Sequence, residues 1–161
     1  MIGGGVGIVE STSETPLSCL IAEHRVANTP QSFARFLDAF RTAMLGVVAQ
    51  GLPEGATGDV VSRAEQPLSV GLTTYAGGQP MVLAFADPAA FARRFGARFN
   101  AEIAGEALLA TALLNPMCQG VLVNSALAEV SIVIDRATAE SLTRHADAKA
   151  PARRKPWWKF W

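Results

Sequence analysis

Apolar residues recur at helical spacing between Phe33 and Val48. Phe33, Phe36, Leu37, Phe40, Met44, Val47 and Val48 share one face, and Arg35, Asp38 and Arg41 fall opposite. Thr29 is a good N-cap for this helix. Pro30 suits the first helical position, because the amide it lacks has no intrahelical partner there anyway. Gly51 and Pro53 are the expected stop. Before it, residues 1–16 are rich in Gly, Ser, Thr and Glu, and the apolar stretch from Leu17 to Ala22 fits a short helix or a strand equally well. Residues 52–66 read as a surface loop.

From Leu68 the period changes to two. Leu68, Val70, Leu72 and Thr74 alternate with small polar residues, Gly77-Gly78 makes a turn, and Pro80 to Ala86 returns as a more apolar strand, which predicts a β-hairpin. Asp87-Pro88 repeats the cap-plus-proline device ahead of a short helix carrying Phe91, Phe95 and Phe99, with Arg93, Arg94 and Arg98 interleaved. A further helix is expected from Glu102 to Leu114, stopped by Asn115-Pro116. Val121–Asn124 and Val130–Ile134 are short and β-branched, as inner strands are. Asp135 then caps a last helix reaching about His145. The order αββααββα predicts a single α+β domain, a mostly antiparallel sheet with helices packed on one face. The expected divisions are a loose leader with a short ordered segment over 1–28, the domain over 29–146, and a tail over 147–161.

Composition adds a class and a compartment. The chain has 161 residues, half of them hydrophobic and 17% charged, which suits one folded domain. Cys19 and Cys118 form neither a disulfide framework nor a zinc-ligand pattern, and fit small buried hydrophobes in a reducing cytoplasm. The start MIGGGVGIVE has neither a basic region nor a long apolar one, so no secretory signal is expected, and no apolar run reaches the ~20 residues of a membrane span. The expected location is cytoplasmic, with any membrane contact peripheral at the inner face.

Three passages carry a family resemblance. They are GQPMVLAFAD (Gly78 to Asp87), a strand entered through proline and followed by a short turn; Leu113 to Asn124, with Asn115-Pro116 and then Gly120 leading into VLVN; and the closing run from Glu129 to Leu142. Together with the aromatic helix, they make Gly78–Leu142 resemble the N-terminal domain of the bacterial SseB family. The preceding helix and hairpin fit in order, so the likeness covers about two-thirds of the chain. Ser125 stands where the family commonly has proline, and Ala86 where a hydroxyl residue is usual. The resemblance implies a non-enzymatic α+β module and supplies no catalytic, metal-binding or cofactor-binding residues.

Candidate chemistry within the body is sparse. The only histidines are His24 and His145. A hydrolytic arrangement of Ser125, His145 and Asp135 lacks the G-x-S-x-G elbow, and these residues read instead as turn and surface residues. Two histidines and two scattered cysteines make no metal site. Gly3-Gly4-Gly5-Val6-Gly7 lacks the Gly-Lys-Ser/Thr of a phosphate loop and reads as a flexible start. Arg93, Arg94 and Arg98 could meet a phosphate or a carboxylate, or form the solvated side of a helix. Asn115 and Asn124 are loop-shaping residues, since asparagine in a turn bonds its own backbone. No cofactor is expected.

The last thirteen residues, KAPARRKPWWKFW, depart from everything before them. They hold all three tryptophans and five of the fourteen bases, with no acid, so residues 1–148 carry nine bases against fourteen acids, a net charge of −5. Arg153, Arg154, Lys155, Trp157, Trp158, Lys159, Phe160 and Trp161 form the candidate partner- or membrane-binding set. Tryptophan and arginine are enriched at protein interface hot spots. The same residues suit an anionic membrane surface, where rings sit at headgroup level and each base contributes about 1 kcal/mol. They would equally suit self-docking, because the body is acidic and one aromatic buries roughly 150–250 Å². Nucleic acid could stack on the indoles, but the negative body opposes it. The favoured expectation is a non-catalytic adaptor or regulatory module that docks a protein partner through this peptide. The alternatives are a peripheral membrane protein anchored by the tail and an enzyme of unrecognised type. Oligomeric state is left open.

Overall fold

The computed structural model of the chain describes residues 15–51, 60–61, 69–149 and 159–160; the leader 1–14 and the glycine run within it lie outside the described residues. The apolar stretch from Leu17 is a helix, α1 (Pro16–Ala27), which buries Leu17, Ser18 and Ile21. It ends at Asn28, whose left-handed backbone (φ 47°) lets its amide bond the His24 carbonyl at 2.7 Å. Thr29 then caps α2 (Pro30–Thr42) as expected. Its hydroxyl accepts the Ser32 amide at 3.1 Å, and the Ser32 hydroxyl accepts the Thr29 amide at 3.2 Å.

This helix stops earlier than its apolar spacing predicts. Ala43 is extended, and Met44–Val47 form a strand, β1. Leu45, Val47 and Ala49 are buried at alternate positions, the period of a strand rather than a helix. Gly46 is required there, because the Phe99 ring lies 2.6 Å from where a Cβ would stand. The chain continues as β2 (Ala49–Gln50), β3 (Val60–Val61), β4 (Ser69–Val70), β5 (Leu72–Tyr75) and β6 (Gln79–Phe85). α3 (Pro88–Phe95) ends before Phe99, so only two of its three predicted rings are helical. Ala101–Ala104 form β7, which corrects the expected helix start at Glu102; α4 begins at Gly105 and runs to Leu114. A Cβ on Gly105 would strike the Phe40 carbonyl, so α2 and α4 meet there backbone to backbone. β8 (Gly120–Asn124) and β9 (Ser131–Asp135) follow the sequence expectation, α5 (Arg136–Lys149) runs past the end expected near His145, and β10 (Lys159–Phe160) comes last.

Six of the described strands form a sheet ordered β7-β1-β6-β8-β9, with β5 also on β6, while β2 pairs with β4 and β3 with β10 apart from it. Only β6 and β8 run parallel, in the register Val82↔Val121 to Phe85↔Asn124; every other pair is antiparallel. The predicted hairpin is β5–β6, paired from Leu72↔Val82 to Tyr75↔Gln79. The protein is thus α+β, built on a mostly antiparallel sheet. On β6, Val82 and Ala84 join the main core with α1, α2, α4 and α5, centred on Phe36, Phe40, Leu45, Ile103, Leu108 and Ile134. Phe85 faces the other way and packs with Phe91, Ala126 and, at their margin, Phe95 and Phe99. Helices therefore cover both faces rather than one, with α3 alone on the second.

Candidate functional site

Two parallel strands deliver their carboxyl ends to the same place, and the polar residues met there brace one another. After β6, Asp87 adopts a left-handed backbone (φ 48°) and makes no side-chain cap to α3, contrary to the sequence expectation. Its carboxylate turns instead to the start of α1, where it accepts the Ser18 amide at 2.8 Å and the Leu17 amide at 3.4 Å. An anion at a helix N-terminus satisfies unpaired amides and meets the positive end of the helix dipole. Thr15, the formal N-cap of α1, makes no side-chain cap, so Asp87 does that work from a distant loop.

The buried Ser18 hydroxyl in turn accepts the Ala126 amide at 2.8 Å, tying α1 to the turn after β8. In that turn Ser125 is buried, its amide donates to the Val130 carbonyl and its hydroxyl accepts the Leu127 amide at 3.1 Å. Asn124 accepts the Ser131 hydroxyl at 2.6 Å across the hairpin, and its carbonyl accepts the Ala86 amide. Asn115 bonds the Met117 amide at 2.9 Å. The asparagines shape loops, as expected.

A cleft of about 260 Å³ opens beside this braced corner, between Phe91, Phe95 and Arg98 on one side and Asn124, Glu129 and Ser131 on the other. Arg98 lines it together with the adjacent pair Asn124 and Ser125, which lies far from it in sequence. The arginine cluster divides there. Arg98 has no ion-pair partner among the described residues, whereas the Arg94 guanidinium lies over the Phe95 ring at 5.4 Å. A shallower groove of about 800 Å³ runs along β9 past the α1–α2 turn, lined by His24, Arg25, Phe33, Tyr75, Val133 and Asp135. Sequence spacing gives no hint of it, because its walls come from five separate elements, Thr138 of α5 included.

The hydrolytic arrangement is not assembled. Asn124, next to Ser125, pairs with Ser131 at one end of the β8–β9 hairpin, while Asp135 pairs with Gly120 at the other. Ser125 and Asp135 are therefore about 16 Å apart along the strands. His145 is exposed on α5 and donates to the Ser141 carbonyl, and His24 bonds Ser32 Oγ at 2.7 Å and packs on the Phe33 ring. Asp135 caps α5 as predicted. The Thr138 hydroxyl and then the Thr138 amide, at 2.8 Å, favour its ionised form and hold its carboxyl below the usual range. Cys118 is buried and bonds the Gly120 carbonyl, while Cys19 is exposed, against the expectation that both are interior.

The residue that spacing missed is Arg136. Its guanidinium donates to the carbonyls of Leu113, Asn115 and Cys118 at 3.2, 3.0 and 2.8 Å, and to Glu140 at 3.1 Å. One side chain thereby ties the end of α4 and the Asn115–Cys118 loop to α5.

Of the tail residues, Lys159 and Phe160 are described through their backbone, paired antiparallel with Val61 and Val60. Arg153, Arg154, Lys155, Trp157, Trp158 and Trp161 lie outside the described residues, as does most of the loop predicted over 52–66. Among the described residues no helix is long and apolar enough to cross a membrane.

Compared with known proteins, residues 17–147 match the family model described as SseB protein N-terminal domain. Neither the curated proteins nor the solved structures gave a match.

Proposed function

Because the chain belongs to the family of the SseB protein N-terminal domain, we propose that it is a non-catalytic interaction module that docks a protein partner through its basic, tryptophan-rich C-terminal peptide. The observation that carries this reading is the division of labour along the chain. The family domain ends at residue 147 and α5 at Lys149, and every tryptophan and five of the fourteen bases lie from Lys149 onward. Indole and guanidinium groups concentrated beyond the family domain's span in the sequence suit an interface anchor, where a few such residues dominate affinity.

The use of the domain's polar groups supports the same reading. Asp87, Ser18, Ser125, Asn115, Asn124 and Arg136 all brace helix ends or turns, and the polar groups that a hydrolase would bring together are held apart. A rigid body carrying a docking peptide is the simplest device this arrangement makes.

The test is affinity capture from the native cell with the full chain and with Trp157→Ala combined with Trp158→Ala. Losing a hot-spot ring costs about 2 kcal/mol or more, roughly a 30-fold loss of affinity. The double variant should therefore lose a partner that the wild type retains, with an unchanged melting temperature. Equal capture by both refutes the reading. Salt-sensitive co-sedimentation with anionic vesicles, lost in the same variant, moves the assignment from a protein partner to a lipid surface.

A further inference from the structure

We propose that the cleft beside the β6–β8 corner is a binding site for a small monocarboxylate with a compact apolar or aromatic body, held through Arg98. The site stands apart from the tail and does not depend on what the tail docks.

Position gives the first argument. β6 and β8 run parallel and end together at Phe85↔Asn124. The crevice beyond the carboxyl ends of parallel strands is where such sheets take ligands. Its aromatic wall is fixed from behind: the Phe91 ring lies 4.7 Å from Phe85 and 5.0 Å from Phe95, and Phe99 packs on Phe85 at 5.9 Å. Gly96, at φ 83°, ends α3 and turns the chain. Arg98 therefore rides on a short segment anchored by Phe95 before it and Phe99 after it. The facing turn is held as well, by the bonds between Ala126 and Ser18 and between Ser125 and Val130. Walls fixed in this way leave little ordering for a ligand to impose.

Chemistry gives the second. The Arg98 guanidinium has no ion-pair partner among the described residues. Across the cleft, the Asn124 side-chain oxygen accepts the Ser131 hydroxyl at 2.6 Å, and its amide nitrogen has no partner among the described residues. The buried Ser125 hydroxyl accepts the Leu127 amide, and its own proton has no acceptor among them. Three donor groups around one small space suit an oxyanion, and the planar fork of arginine suits a carboxylate. Glu129 narrows the choice. It lines the same cleft without pairing with Arg98, and it opposes a second negative charge, so a monocarboxylate is favoured over a phosphate dianion. Phe91 and Phe95 supply an apolar wall for the rest of the molecule. At about 260 Å³ the cleft lies just below the range of drug-sized ligand pockets, so the ligand is small. A free acid and the terminal residue of a peptide present the same group.

The test follows amide NMR spectra of the full-length protein during titration with benzoate, benzamide and phenyl phosphate. Benzoate should shift the Asn124 side-chain amide and the Ser125 and Ser131 backbone amides along one saturable curve, with a Kd of about 1 mM for so small a probe. Benzamide is neutral and of similar shape, and should bind about tenfold more weakly. Arg98→Gln should weaken benzoate by the same factor, the worth of about one charge-assisted hydrogen bond near the surface. Arg98 is exposed, so this variant keeps its fold. Arg144→Gln removes an equal charge from α5 and should leave benzoate binding unchanged. Glu129→Gln should strengthen phenyl phosphate more than benzoate.

An acetylated Ala-Phe dipeptide separates the sources. Tighter binding than benzoate, lost in its carboxamide, assigns the site to a chain terminus; binding no tighter than benzoate assigns it to a small acid. Equal affinity for benzoate and benzamide overturns the proposal. So does unchanged benzoate affinity in Arg98→Gln, or the absence of a saturable shift at these signals up to about 20 mM benzoate. Trp157→Ala with Trp158→Ala should bind benzoate as the wild type does, so this titration and partner capture fail independently.

Discussion

Asp87 gives the most direct check on how this domain is held together, because sequence and structure assign its carboxylate to different helices. In the structure it accepts the Ser18 and Leu17 amides at the head of α1. Removing an N-cap acceptor costs about 1 kcal/mol, within a range of 0.5–2, and a charge at that end adds about 0.3–1 kcal/mol. Asp87 also has a left-handed backbone, which penalises a residue with a Cβ by roughly 1–2 kcal/mol and which aspartate tolerates better than alanine. Asp87→Ala therefore loses about 2–3 kcal/mol. For a chain of this length that is a fall of about 4–12 °C in melting temperature.

Asp87→Asn keeps an acceptor and the tolerance of the backbone, and should lose about 1 kcal/mol or less. Asp87→Gly loses the cap but relieves the backbone, and should fall between the two. The assays are urea denaturation followed by circular dichroism and amide exchange read residue by residue. The Leu17 and Ser18 amides should exchange faster in Asp87→Ala, while the first turn of α3 keeps its protection. Faster exchange in α3 with α1 unchanged refutes the assignment, and so does a loss below about 0.5 kcal/mol, the size of an ordinary surface substitution.

Two other interactions make equally definite predictions. Arg136→Met removes donors from three carbonyls at once, and with hydrogen bonds to charged groups contributing about 1.5–3 kcal/mol each in burial, discounted here for partial exposure, the total loss should be about 2–4 kcal/mol in chemical denaturation. Arg136→Lys should recover less than half of it, because an ammonium cannot fork across separate acceptors. Asp135 sets a pH dependence. Its folded carboxyl titrates below the ordinary value of 3.8, so its stabilisation is fully present above that value and is lost as pH falls through the lower folded one. Asp135→Ala should cost about 1 kcal/mol near neutrality, and the gap from wild type should close in acid. A gap that stays constant across denaturation curves from neutral pH to strong acid counts against the carboxylate as its source.

The two strands that the sequence concealed are partners of each other. Residues 44–47 continue the apolar spacing of α2, and Ala101–Ala104 read as the first turn of α4, yet β1 and β7 pair from Met44↔Ala104 to Val47↔Ala101. Each has local helical character, and each becomes a strand because the other lies beside it, a contact between segments more than fifty residues apart. Misreading one therefore hides the other. The clear strands were β8 and β9, whose β-branched residues favour strands without outside help. The site shows the same split. Arg98, Asn124 and Ser125 were identifiable as individual residues, but their meeting in one cleft depends on the parallel pairing of β6 with β8. Asp87 carried a true capping signal whose target, α1, lies about seventy residues earlier. No local rule gives that address.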